Sequence, residues 1–190
     1  MELNSALEQL GLLQKKLYAY QTASSSLYLD SVTVAPKDTS EGRGVALGIL
    51  AGESQKLMTA PETGELLEFL ADQKENLSFV EQRQVEELKR SYDRLSGIPA
   101  DEYMDYAMLT NEASDVWHRA KETSDFALFA PVLEKLVAYN RKFAGYYDSS
   151  KKPYDALLDE YERGADMAFL DTFFETVRES LVELIVGIVF

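Results

Sequence analysis

Apolar residues recur along this chain at spacings of three and four almost from end to end, and no stretch sustains the alternation a half-buried strand requires. That periodicity restricts the fold to helices. Leu3, Leu7, Leu10, Leu13 or Gln14, Leu17 and Tyr20 or Gln21 line one face of a long first helix, which the pattern carries to Leu27. Residues 30–44 then read as a loop, because they hold Pro36, two glycines and several hydroxyl side chains, and Pro36 disfavours helix at Ala35. Val32-Thr33-Val34 is β-prone but too short to found a sheet. A second helix is predicted from Val45 to Thr59. Gly44, Gly48 and Gly52 lie on one face there, where another backbone can approach closely.

The later helices show themselves by their end signals. Ser78 followed by Glu81 has the capping-box form, in which the hydroxyl takes the amide of the third helical residue and the carboxylate reaches back to the amide of Ser78. The helix it starts carries Val85, Leu88, Tyr92 and Leu95 on its core face, and Gly97 stands where a left-handed cap would end it. Pro99 suits the first position of the next helix, with Asp101 and Glu102 where the helix dipole favours negative charge. Its predicted inward stripe is Tyr103, Ala107, Thr110, Ser114 and Trp117. Ser124-Asp125 opens another helix, with Pro131 in its first turn and a stripe of Leu133, Leu136 or Val137, Asn140, Phe143 and Tyr147. A short helix from Pro153 to Tyr161 ends at Gly164, and Asp166 caps a last helix with Leu170, Phe173 or Phe174, Val177, Leu181, Leu184 and Ile188 on one face. The expected architecture is all-α, a multi-helix array running as one segment from residue 1 to 190, with no repeat or linker dividing it.

Composition narrows the partners. The 190 residues are 46% hydrophobic, enough for a packed core, and carry 33 acidic against 19 basic side chains for a net charge of −14. Such a surface repels nucleic acid and anionic membranes, so neither is expected as a partner. No run approaches the length of a membrane span, and Met1-Glu2-Leu3-Asn4 lacks the basic and apolar regions of a signal peptide. With no cysteine, a cytoplasmic location is expected. Asn76-Leu77-Ser78 forms a glycosylation sequon that means little without secretion.

The chemistry available is sparse. There is a single histidine, His118, so an H-E-x-x-H pair cannot exist within the chain, and a ligand role would need donors to converge on it from elsewhere. Asp115, three residues earlier on the same helix, is the nearest acidic candidate; a structural role is expected for both. Asp155 and Asp159, one turn apart and close to Glu162, could offer oxygen ligands to a hard cation. In so acidic a chain such pairs arise by chance, and a solvated or capping role is the expectation. Gly42-Arg43-Gly44 lacks the preceding strand and following Lys-Ser/Thr of a phosphate loop, and Ser24-Ser25-Ser26 has no histidine nearby. Arg43 and Arg119 are expected to fix helix geometry as guanidinium groups partly buried among carboxylates.

Several segments together resemble the Taq-type thermostable metallocarboxypeptidases over nearly the whole length. They are Pro36 and Arg43; Tyr92-Asp93 with Leu95 and Pro99; Trp117-His118-Arg119-Ala120; Asp125-Phe126 with Phe129 and Pro131; and Pro153-Tyr154-Asp155-Ala156-Leu157-Leu158-Asp159 with Tyr161-Glu162 and Gly164. The tryptophan–arginine and Pro-Tyr-Asp-Ala-Leu-Leu-Asp segments are the specific ones, and Arg163 stands where that family usually has proline. The resemblance implies the N-terminal helical portion of a zincin-like peptidase, truncated before the H-E-x-x-H half. The parent would bind one divalent metal, zinc or cobalt, and release C-terminal residues from peptides with broad specificity, its N-terminal helices walling the substrate groove.

No catalytic or metal residue carries over to this chain, which alone is expected to hold no cofactor and to be inactive. Pro36, Arg43, Trp117, Arg119, Pro153, Tyr154, Asp155, Leu157, Asp159 and Gly164 stand as signature positions with a structural role. The expected partners are the missing catalytic half and, in the parent only, a peptide substrate. An autonomous acidic helical interaction module is the alternative. Leu181, Val182, Leu184, Ile185, Val186, Ile188, Val189 and Phe190 spread apolar character around the last helix with no stop signal, so exposure there should drive a homodimer or wider self-association.

Overall fold

A computed structural model describes residues 1–36 and 39–189, the side chains of Glu183 and Val189 excepted. Among the described residues there are eight α-helices and no strand: α1 (Leu3–Thr33), α2 (Ser40–Met58), α3 (Pro61–Asp72), α4 (Phe79–Leu95), α5 (Ala100–Thr123), α6 (Phe126–Tyr147), α7 (Pro153–Tyr161) and α8 (Met167–Val189), with a 3-10 turn at Lys74–Asn76. The all-α expectation holds. The expected apolar contribution of Phe190, and of the Val189 side chain, lies outside the described residues.

The chain divides into two compact units, Met1–Tyr139 and Asn140–Phe190, with the boundary inside α6. In the first unit, α1, α3 and α4 enclose a core of Ala6, Leu10, Leu66, Leu67, Leu70, Leu77 and Val85, against which Leu3, Leu7, Leu88 and Tyr92 pack. The predicted faces of α1 and α4 are therefore the ones used. Helix α3 was not anticipated from the sequence, although Pro61 in its first turn followed by Glu62 is a legible start signal. It supplies Leu67 and Leu70, the largest fully buried side chains.

Two boundaries differ from expectation around Pro36. Helix α1 runs to Thr33, six residues past Leu27, so the β-prone Val32-Thr33 pair is helical. Thr33 Oγ1 donates to Leu29 O (2.6 Å) and Ser31 Oγ to Tyr28 O (2.6 Å), so these hydroxyls are accommodated along the helix wall. Val34 and Ala35 both donate their amides to Asp30 O, and the helix stops before Pro36 as steric exclusion requires. Helix α2 begins at Ser40, five residues earlier than predicted, which places Gly44 inside it.

Helix α2 packs along α5. Gly44, Gly48 and Gly52 are buried and face Asn111, Met108 and Met104 respectively, so the expected close approach occurs. The inward stripe assigned to α5 is rotated from the real one. Leu109, Ala113 and Ala120 are buried, whereas Thr110 and Trp117 are exposed. The reason is that α5 serves two neighbours: Met104, Met108 and Asn111 meet α2, while Leu109, Ala113 and Val116 meet Val132, Phe129, Leu136 and Tyr139 of α6. On α6 the expected stripe holds at Leu136 and Phe143, while Leu133 and Val137 are exposed and Val132 is buried in their place.

The end signals fare unevenly. The capping box forms: Glu81 N donates to Ser78 Oγ (3.3 Å) and Ser78 N to Glu81 Oε2 (2.7 Å). Pro99 is the residue before α5, one position earlier than expected, and Pro131 sits inside α6 beyond its first turn. Gly97 does not supply a left-handed cap. Among the described residues the left-handed positions are Ser124 (φ 54°) and Gly164 (φ 80°), and α4 closes through the Ser96 and Ile98 amides on Tyr92 O and Leu95 O. In the second unit Phe143, Ala144, Ala156 and Ala165 are buried, α7 has its predicted bounds, and α8 leaves Phe173, Leu181, Leu184, Ile185 and Ile188 exposed. Among the described residues, no helix is long and apolar enough to cross a membrane.

Candidate functional site

The strongest polar constellation spans α2 and α5. Arg43 projects from the first turn of α2, and its side chain is only 9% exposed. Its Nε donates to Asn111 Oδ1 (3.0 Å), Nη2 to Asp115 Oδ2 (3.4 Å), and Nη1 to Thr39 Oγ1 (3.4 Å). Asn111 Nδ2 in turn donates to Ser40 O (3.1 Å) and Ser40 Oγ (3.2 Å). A planar guanidinium with several fixed donors is suited to this clamp, which holds the start of α2 against the middle of α5. Sequence reasoning singled out Arg43 and Asp115 without joining them, and it missed Asn111. The available signal was the one-turn spacing of Asn111 and Asp115, which puts both on one helix face.

Beside the clamp lies an open groove of about 510 Å³, lined in part by Glu41, Asp105, Glu112, Lys135, Met108 and Tyr139. Its rim is rich in carboxylates. Tyr139 of its lining packs at a tilt against Tyr106, ring centroids 5.6 Å apart.

The other singled-out residues fall elsewhere. His118 is exposed, its ring edge-on to Trp117 at 4.8 Å, and Lys121 Nζ sits 4.8 Å over the Trp117 ring. Asp115 is directed to Arg43. Arg119 is exposed, so partial burial among carboxylates holds for Arg43 alone of the two arginines. Pro36 is exposed and its carbonyl accepts from Thr39 Oγ1 at 2.8 Å.

The Pro153–Gly164 segment uses its carboxylates on backbone. Asp155 Oδ1 accepts the amide of Met167 (2.9 Å), Asp159 Oδ1 that of Gly164 (2.9 Å), and Asp166 Oδ1 caps α8 through the amide of Phe169 (2.8 Å). Pro153 opens α7 and Gly164 supplies the positive φ of the turn. Leu157 is half-buried and Tyr154 is exposed. These bonds fix the turn between α7 and α8.

The donor chemistry does not fit a zinc-type metal centre. One exposed histidine and no cysteine leave only carboxylates, and among the described residues no three His, Cys, Asp or Glu side chains converge to hold an ion. The carboxyls held below their ordinary range are not among those that line the groove. Glu81 is lowered chiefly by the Ser78 hydroxyl and then its amide, Glu86 by Lys74 and then Arg83, and Asp148 by the hydroxyl of Ser150.

Comparison with known proteins is consistent across the chain. The family model of the carboxypeptidase Taq (M32) metallopeptidases matches residues 9–189. Carboxypeptidase 1 of Bacillus subtilis is 34% identical over 185 residues, covering 97% of this chain and 37% of that protein. The crystal structure of BsuCP superposes with a TM-score of 0.88 at 35% identity, covering 94% of this chain and 36% of that one. The carboxypeptidase of Pyrococcus furiosus gives 0.77 at 31% identity, covering 96% of this chain and 37% of that one. The chain thus spans a little over a third of the length of the relatives it matches.

Proposed function

The chain belongs to the carboxypeptidase Taq (M32) metallopeptidases, and on that premise we propose that it is the N-terminal helical part of a longer metallocarboxypeptidase. The observation that carries this is the pairing of 97% coverage of this chain with 37% coverage of the relative. The longer protein would release C-terminal residues from peptides. It would hold its divalent metal, zinc or cobalt, on residues outside this chain, since one histidine and no thiol cannot make a three-ligand site of the usual His₂Glu kind. The role left to these helices is shape. A seam closed by glycine and clamped by a buried arginine makes α2 and α5 a stiff wall, and such a wall limits access to a groove. Cytoplasmic location fits the absence of cysteine.

The test is release of C-terminal amino acids from N-blocked dipeptides, with and without chelator, by this chain and by the longer protein. The longer protein should be active and chelator-sensitive; the 190-residue chain should be inactive and retain no stoichiometric zinc after dialysis. Chelator-sensitive turnover by the short chain would overturn the assignment.

A second reading, an autonomous interaction module, draws on α8, where Phe173, Leu181, Leu184, Ile185 and Ile188 are all exposed, since contiguous apolar surface of this kind marks interaction sites. In the longer protein the catalytic part would cover it. Alone, the chain should sediment as a dimer or larger species and shift toward monomer when Ile185→Glu and Ile188→Lys are combined. A native chain that stays monomeric at high concentration would remove α8 as an interface.

A further inference from the structure

We infer that Met108 is an oxidation site whose sulfoxide loosens the α2–α5 seam. Two observations meet at this side chain. On its inner side it is packed against backbone: a Cβ built on Gly48 would lie 2.7 Å from Met108 Cγ and 3.2 Å from its Sδ, so the thioether fills the space a side chain would occupy. On its outer side it lines the open groove and is 37% exposed, which lets small solutes reach it. Met104 makes the equivalent contact to Gly52, with Cγ and Sδ 2.6 and 2.7 Å from the Cβ position, but is not part of the groove lining. Met58 is buried, and Met1 and Met167 are exposed. Among the described methionines, Met108 combines access to the groove with a seat on a glycine.

The chemistry is oxygen transfer from a peroxide. The Sδ lone pair attacks the O–O bond of hydrogen peroxide; an S–O bond forms, the O–O bond breaks, and the leaving oxygen departs as water after a proton shift. Sulfur is oxidised and the peroxide is reduced. The product is polar and bulkier where an apolar thioether already fills the gap. Either the sulfoxide stays against the helix backbone, whose amides are committed to the helix, or the side chain swings into the groove and leaves the Gly48 face uncovered. Both outcomes weaken the packing that Gly44, one turn away, shares with Asn111 of the Arg43 clamp. This inference is independent of the peptidase reading, since it concerns the seam alone.

The experiment treats the native chain with dilute hydrogen peroxide, follows each methionine by peptide mass spectrometry, and records thermal melts in parallel. Met108 should gain one oxygen alongside Met1 and Met167, and Tm should fall by about 4 °C or more in step with the Met108 sulfoxide fraction, a shift of the size expected for a packing defect in a domain this long. Methionine sulfoxide reductases should restore it. Met108→Leu conserves volume and should keep its Tm under peroxide, whereas Met167→Leu should lose as much as the native chain. Met108 remaining reduced while Met1 and Met167 oxidise would overturn the inference. So would a fully oxidised Met108 with unchanged Tm, or an equal loss in Met108→Leu. If Met108→Leu does not fold, the native time course decides, and a Tm that tracks Met167 instead of Met108 overturns it.

Discussion

The α2–α5 seam and helix α8 have opposite relations between composition and burial. Helix α2 offers three glycines and an arginine to its partner, among the least hydrophobic surfaces a helix can present, yet all three glycines are buried and the Arg43 side chain is 9% exposed. Helix α8 offers Phe173, Leu181, Leu184 and Ile185, and all remain exposed. The difference shows that shape and partner availability decide burial as much as side-chain hydrophobicity does. Glycine lets α5 come close enough for Met104 and Met108 to make dispersion contacts with backbone, and the approach excludes water from the guanidinium. On α8 these four apolar side chains are covered by no described residue to a comparable degree, each being about half exposed.

The contrast can be broken by substitution. The largest effect is expected in the α1–α3–α4 core, where Leu67 is fully buried: Leu67→Ala should cost about 2–5 kcal/mol of unfolding free energy in urea titration. Leu184→Ala on α8 removes the same atoms from a side chain that is 58% exposed and should stay within about 0.5 kcal/mol. Comparable losses at the two positions would mean that α8 is covered in solution.

Next in size are the glycines. Gly52→Ala places a Cβ 2.6 Å from Met104 Cγ, a non-terminal atom that cannot simply rotate away, and overpacking of this kind costs about 1–3 kcal/mol. Gly187→Ala meets nothing within 4 Å and should stabilise α8 by about 0.5–1 kcal/mol through helix propensity. Opposite signs in chemical denaturation would sharpen the comparison, and equal signs would break it.

Removing the clamp should cost somewhat less, because Asp115 is partly solvated. Arg43→Ala strips Asn111 Oδ1 of its donor and should lower stability by about 1–2 kcal/mol, with little recovery in Arg43→Lys, whose single ammonium cannot reach three acceptors at once. Full rescue by lysine would reduce the clamp to a simple charge pair.

The smallest effect is a pH-dependent one at the start of α4. The Glu81 carboxyl titrates below its ordinary 4.5 because the Ser78 hydroxyl and amide bond its charged form. A depressed folded pKa stabilises above the unfolded value, and that contribution is lost as pH falls through the folded one. The Tm difference between native protein and Ser78→Ala should therefore be present at neutral pH and narrow on acidification below about 4.5. A difference that is constant with pH would show that only the hydroxyl cap matters.

How much of this was legible in the sequence can be argued residue by residue. Local chemistry wrote α7 and the start of α8: Pro153 fixes a first-turn φ, and Asp159 and Asp166 bond the amides of Gly164 and Phe169 close by in the chain. The capping box at Ser78 and the stop before Pro36 are of the same kind, since each depends on atoms only a few residues apart. Helix α3 escaped notice because its core residues Leu66, Leu67 and Leu70 are few and its N-cap is Ala60, which provides no side-chain bond. Periodicity gave α5 as a helix but with a rotated face, because a helix with partners on two sides has no single stripe, whereas on α6 the expected Leu136 and Phe143 do face the core.

Sequence by itself therefore determined seven of the eight described helices, those of their ends that local caps and prolines close and, through the signature segments, the family. Tertiary structure alone decided that Asp115 serves Arg43 and not His118, that Asn111 completes the clamp, and that glycines on α2 meet methionines on α5. The physical reason is range: caps and turns are closed by neighbours along the chain, whereas the partner of a buried arginine 68 residues away is fixed only when two helices pack.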